Sequence, residues 1–240
     1  KGNVIYADKL SEYVGVDGVR YYALAEMPYA SDGSITWDSV LARYNTDLVN
    51  NLGNLVKRTL DMQKKYFDKV VQAPTATDAL DEELKAFALE TVKTVDSKMN
   101  SYHIADAVEA VINLAKRCNK YIDETAPWAL AKDEANKERL GTVLYNLLEG
   151  IRFISVLLEA FMPETSKAIL AQINCDIADY ESLSAFGALK AGGKVGTATP
   201  LFARIDAVKM LEEIATEQEA AAKAAEAEEE KEGITFLPEI

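Results

Sequence analysis

Asn54 and Arg58 stand four residues apart, so on a helix they project from one face. An amide offers a donor and an acceptor side by side, and a guanidinium offers a planar fork of donors. That pair suits the edge of a nucleobase rather than bond-breaking. The same face is expected to carry Asp47, Asn50, Asn51, Lys57 and Asp61. Gly53 stands beside Asn54. A glycine inside a helix costs about 1 kcal/mol relative to alanine, so close approach of another helix or a ligand is expected there. About 70 residues further on, Trp128 follows Pro127. An indole at a helix-ending proline is either a core plug or an exposed platform on which a base stacks. Spacing alone leaves both open.

Other chemistry fares poorly. His103 is the sole histidine, at the start of a helical stretch where a structural role is the ordinary one. No serine or cysteine has a nucleophile setting, and there is no GxGxxG or Walker A motif. Asp81, Glu82 and Glu83 suit a helix N-terminus. Cys118 and Cys175 form no metal-type cluster; Cys118 falls on an apolar stripe, as a buried free thiol in a reducing cytoplasm would. Catalysis by these residues alone is not expected.

The net charge of −13 argues at face value against nucleic acid. Its distribution weakens that argument. Residues 211–240 carry ten Asp/Glu and two Lys, a net of −8, which leaves −5 for residues 1–210. Lys57, Arg58, Lys64 and Lys65 form one basic cluster, and Lys116, Arg117 and Lys120 another.

The elements that must position these groups are mostly helical. The opening Lys1-Gly2-Asn3, with no initiator methionine, reads as a cut from something longer. Residues 1–37 read as a small α+β unit: an apolar run at Val4–Tyr6, helices over Ala7–Tyr13 and Val16–Met27, a turn at Pro28–Gly33 and an extended piece at Ser34–Trp37. From Asp38 the period is helical. Leu41, Tyr44, Leu48, Leu52, Leu55, Thr59 and Met62 make one stripe, Leu84 to Met99 a second, Ile104 to Ala115 a third and Leu140 to Phe161 a fourth. Four long amphipathic helices with short connections predict an all-α antiparallel bundle over 38–210. Residues 211–240 read as an acidic Ala/Glu-rich linker with no face to bury, closed by an apolar fragment. No uncharged apolar run approaches the roughly 20 residues that span a bilayer, so no membrane role is expected.

Several segments resemble the methionyl-tRNA synthetase family. Lys1-Gly2-Asn3-Val4-Ile5 resembles the residues after the KMSKS signature of class I synthetases, and Tyr13 to Tyr22 their stem-contact helices. Residues 47–58 are similar to the first anticodon-domain helix of the methionine enzyme. Residues 121–132, with Ala126-Pro127-Trp128, are more specific, and residues 199–206 resemble the family's closing segment.

The resemblance implies a stem-contact element over 1–37, an anticodon-binding bundle over 38–210 and a linker over 211–240 to a missing C-terminal tRNA-binding domain. It implies that Asn54 and Arg58 are the hydrogen-bonding pair for a CAU anticodon. Trp128 is then the stacking aromatic and Asp123 a polar residue of the same loop. The parent enzyme would join methionine to tRNA-Met in the cytoplasm using ATP and Mg2+. This piece would hold no cofactor or metal and be inactive alone, coupled to the catalytic domain of the same chain. Any homodimer would form through the missing C-terminal domain. Two alternatives stand beside this: a leucine-, isoleucine-, valine- or cysteine-type synthetase domain, and a helical scaffold without RNA. The scaffold predicts a buried Trp128.

Overall fold

The computed structural model describes residues 5–26 and 35–234. Helix α1 spans Ala7–Glu26 and is kinked at Gly15 (φ 72°, ψ 165°), a backbone conformation essentially confined to glycine. It is therefore the expected pair of short helices, joined without a loop. The predicted turn at Pro28–Gly33, with Val4 and Ser34, lies outside the described residues. Among the described residues no strand forms, only an isolated antiparallel bridge between Val70 and Lys194. The β part of the expected α+β unit is thus not found there: Ile5–Tyr6 and Ile35–Thr36 are irregular.

The first long helix is three pieces: α2 over Trp37–Arg43, a π-helical segment over Tyr44–Gly53, and α3 over Asn54–Phe67. Thr36 caps α2 in a reciprocal pair with Ser39. The apolar stripe is buried as predicted from Leu41 to Thr59. Asp47 and Asn51, however, are buried rather than exposed. The i→i+5 winding departs from the 3.6-residue period behind the face assignment. The Asp47 carboxylate accepts from the Tyr21 hydroxyl at 2.8 Å and from Arg43 at 3.0 Å. The Asn51 amide donates to the Ile112 carbonyl at 3.2 Å and accepts from Asn119 at 2.8 Å.

Asp78 caps α4 (Ala79–Asn100), which turns into α5 (Ile104–Thr125). A short α6 (Pro127–Leu130) leads to α7 (Lys137–Leu158), buried at every residue from Leu140 onward. Helices α4, α5 and α7 pack on one another, the sequential neighbours antiparallel across short connections. The α5–α7 approach is close: a Cβ at Gly150 would lie 2.8 Å from the Cys118 sulfur. Burial pushes the Cys118 thiol up to about 12, so it is an inert core group. By length and composition the stretch Glu134–Leu158 would be able to cross a membrane, but its apolar window is wholly buried inside the protein.

An unpredicted helix, α8 (Pro163–Ile173), packs on α7. Its signals were Pro163 at the first position and Asn174 in a left-handed cap. Residues 174–206 are mostly irregular and are tied down by a buried ion pair. Glu149 and Arg152 meet at 2.7 Å, and Glu149 also accepts the amides of Gly187, Ala188 and Leu189. Helix α9 (Ala207–Ile234) covers much of the expected linker. Its start is not faceless, because Met210 and Ile214 are buried.

Candidate nucleic-acid interface

The π segment ends at Gly53, and Asn54 is the first residue of α3. Asn54 is exposed, and its side chain has no hydrogen bond among the described residues. One turn on, Arg58 donates from Nη2 to Asp123 Oδ1 at 3.4 Å, bridging α3 to the last turn of α5. That single long contact leaves the rest of the guanidinium fork available. Asp123 is 67% exposed and Arg58 35%, so the pair sits at the surface.

Five residues past Asp123 lies Trp128. Helix α5 stops at Ala126, which adopts a left-handed conformation (φ 43°, ψ 64°) immediately before Pro127. Alanine there, ahead of a proline, is strained, and the bundle holds it in place. In α6, Pro127 is buried and Leu130 half-buried, one turn apart on the inward side. Trp128 falls on the outward side and is 47% exposed. It is not a core plug, which removes the support the scaffold reading required. All four predicted residues are thus on the surface, and two of them touch.

Sequence reasoning missed what lies beneath and beside them. Asn119, one turn before Asp123 on α5, donates to both the carbonyl (3.1 Å) and the side-chain oxygen (2.8 Å) of Asn51. It ties α5 to the π segment that leads into Asn54; its only sequence signal was an amide on the polar side of α5. Beside Gly53 runs the segment 199–205. A Cβ at Gly53 would sit 3.3 Å from the Phe202 ring and 3.1 Å from the Leu48 carbonyl. The close approach expected at this glycine is therefore an intrachain loop. Phe202 also meets Tyr44 edge-on at 6.0 Å. The Asn45 side chain clamps the Ile205 backbone through two hydrogen bonds of 2.9 and 3.1 Å, and at the other end of the segment the Gln172 side chain accepts the Thr199 amide at 3.0 Å.

Of the seven cations in the two basic clusters four are ion-paired, Arg58 with Asp123 among them. Lys57 meets Asp61 at 2.6 Å, Arg117 meets Glu124 at 2.9 Å, and Lys120 meets Glu124 at 3.3 Å. Among the described residues Lys64, Lys65 and Lys116 form no ion pair. Nor do three metal-ligating side chains converge among the described residues. The surface thus presents an unpaired amide, a partly free guanidinium, an exposed indole and a rim of cations of which some are compensated.

Similarity to known proteins falls into two parts, divided between residues 60 and 71. Residues 1–60 match the family described as tRNA synthetases class I (M), which sets the class. Residues 71–222 match the anticodon binding domain of methionyl tRNA ligase, and the chain belongs to that family. The methionine--tRNA ligase of Clostridium perfringens is 48% identical over 214 residues, covering 89% of this chain and 33% of that protein. That of Bacillus subtilis is 40% identical over 246 residues, covering 100% of this chain and 37% of that protein. Mycobacterium tuberculosis methionyl-tRNA synthetase in complex with methionyl-adenylate superposes with a TM-score of 0.80 at 32% identity, covering 85% of this chain and 40% of that one. The chain thus spans about a third of the length of these curated relatives. The leucine-, isoleucine-, valine- and cysteine-type alternatives are not favoured.

Proposed function

We propose that this chain reads the CAU anticodon of tRNA-Met within a methionyl-tRNA synthetase. The observation that carries the reading is the Arg58–Asp123 bridge, which ties the helix bearing the exposed Asn54 to the end of α5, five residues before the exposed Trp128. Asn54 donates and accepts and Arg58 donates at base edges, as splayed RNA loops require, and Trp128 stacks an unpaired base. Asp123 orients Arg58 and accepts from a base amino group. Methionylation with ATP and magnesium belongs to the enzyme as a whole, and no residue described above has a role in it. Residues 1–37 couple the bundle (38–210) to the catalytic domain of the same chain. Residues 211–240 lead to a C-terminal tRNA-binding domain through which the enzyme dimerises, in the cytoplasm.

The test is a fluorescence titration with a CAU stem-loop RNA at low salt. The chain has two tryptophans, so a Trp37→Phe background leaves Trp128 as reporter. The CAU loop quenches it, and changing the first anticodon base weakens binding. In the wild-type background, Trp128→Ala costs roughly 1–3 kcal/mol of affinity by a label on the RNA. Equal binding of both loops would reduce the contact to a charge-driven one.

A further inference from the structure

Beyond its kink at Gly15, α1 grips the corner where α7 hands over to α8. Helix α8 begins without a cap of its own: Met162 at the N-cap makes no side-chain hydrogen bond, and Pro163 has no N–H. The missing acceptor comes from 148 residues away, where the buried Asp17 takes the Thr165 amide at 2.6 Å. Helix α7 likewise ends with no basic residue in its last turn. Arg20, one turn after Asp17, supplies one: Nε donates to the Phe161 carbonyl at 2.7 Å and Nη2 to the Ala160 carbonyl at 3.0 Å. Each charge has the sign that its helix end attracts. The far end of α8 leads to the reading surface. Gln172, about 10 Å along the helix from Thr165, accepts the Thr199 amide at 3.0 Å through its side chain. Its carbonyl accepts the Gly196 amide at 2.8 Å. The chain then runs to Phe202, which packs on Gly53 immediately before Asn54.

We infer that Asp17 and Arg20 are positioning residues for anticodon selection. By capping α8 and α7 from α1 they fix the placement of α8. Through Gln172 that placement holds the 199–202 segment against Gly53, and so sets the direction in which Asn54 points. The inference rests on the anticodon reading above. Hydrogen bonds to the matched base depend on that direction, whereas an altered base does not form them. An uncapped α8 is displaced for part of the time, and apparent affinity for the matched loop falls with the fraction of molecules that remain competent.

The experiment measures, in the full chain and well below Tm, the ratio of affinities for the CAU stem-loop and for a loop altered at its first anticodon base. Asp17→Ala lowers that ratio about fivefold, the worth of one helix cap. Asp17→Asn, which keeps an oxygen acceptor for the Thr165 amide, restores it. Gln172→Leu, at the other end of α8, lowers it by a similar factor. Combining Asp17→Ala with Gln172→Leu costs nothing more, although substitutions about 10 Å apart ordinarily add. Val95→Ala, a core truncation on α4, lowers Tm and leaves the ratio alone. The inference is overturned if folded Asp17→Ala keeps the wild-type ratio, or if its effect and that of Gln172→Leu multiply independently. Should Asp17→Ala not fold, Arg20→Lys decides in its place. An ammonium holds one carbonyl where the guanidinium fork held two, so the ratio falls, and an unchanged ratio overturns the inference. A wild type that binds both loops equally removes the anticodon reading and this inference with it. A wild type that discriminates, beside variants that discriminate as well, removes this inference alone.

Discussion

Arg58 and Asp123 meet at 3.4 Å in the open, too long and too wet for much stabilisation. Exposed ion pairs contribute roughly 0–1 kcal/mol, so the value of this one is orientation. Asp123→Asn should leave the urea midpoint nearly unchanged. It removes a negative charge from the proposed RNA-binding surface, so affinity should rise for RNA loops of any sequence and discrimination between CAU and altered loops should fall. Parallel titrations of the two loops measure both effects. At this scale the residue types were legible but their directions only in part. Asn54, Arg58, Asp123 and Trp128 were marked by family resemblance, and helical spacing put the first two on one face. Asp47 and Asn51 were assigned to that face by the same count and are buried, because π-helical winding leaves no signature in apolar spacing. Asn119 and Phe202 act through contacts 68 residues away or more in the chain, beyond the reach of any local pattern.

Among the elements, the four apolar stripes were legible because each helix buries one broad face. Helix α8 was not, since its 11 residues bury a mixture of Thr165, Ser166, Ile169, Gln172 and Ile173. The ends of α4 and α7 are joined by a group that was read simply as helix-terminal charge. Asp81 is buried, and Arg139 reaches it at 2.8 Å while the Tyr121 hydroxyl donates to it. Burial alone would raise the Asp81 pKa, but the hydrogen bonds from Tyr121 and Arg139 outweigh it and hold the carboxyl below its ordinary 3.8. A carboxylate depressed in the folded state stabilises above its unfolded pKa, and that contribution is lost as pH falls through the folded value. Acid unfolding should therefore steepen below about pH 4. Asp81→Asn should lower Tm near neutrality and flatten the acid limb, as thermal melts between pH 2 and pH 7 would record. If the limb is unchanged, Asp81 is not among the groups that set it.

Across the whole molecule, charge and function point in different directions. The net −13 is concentrated toward the C-terminus, and four of the seven cations in the two basic clusters are compensated, so the proposed recognition would rely on base contacts more than on bulk attraction. The π segment joins the two ends of this arrangement. Its Asp47 is tied to Tyr21 on α1, while its last residue, Gly53, hands over to the helix that carries Asn54 and Arg58. One residue of α-helix is about 100° of rotation. Deleting exposed Thr46 should let the ten-residue stretch relax toward α-helical winding and turn α3 against α2 by about that angle. Helix content by circular dichroism should persist, while selectivity for the CAU loop is lost with every recognising side chain intact. The phase of the reading face is then a property of residue count in the π segment, and a single-codon deletion there is expected to be more damaging than most substitutions.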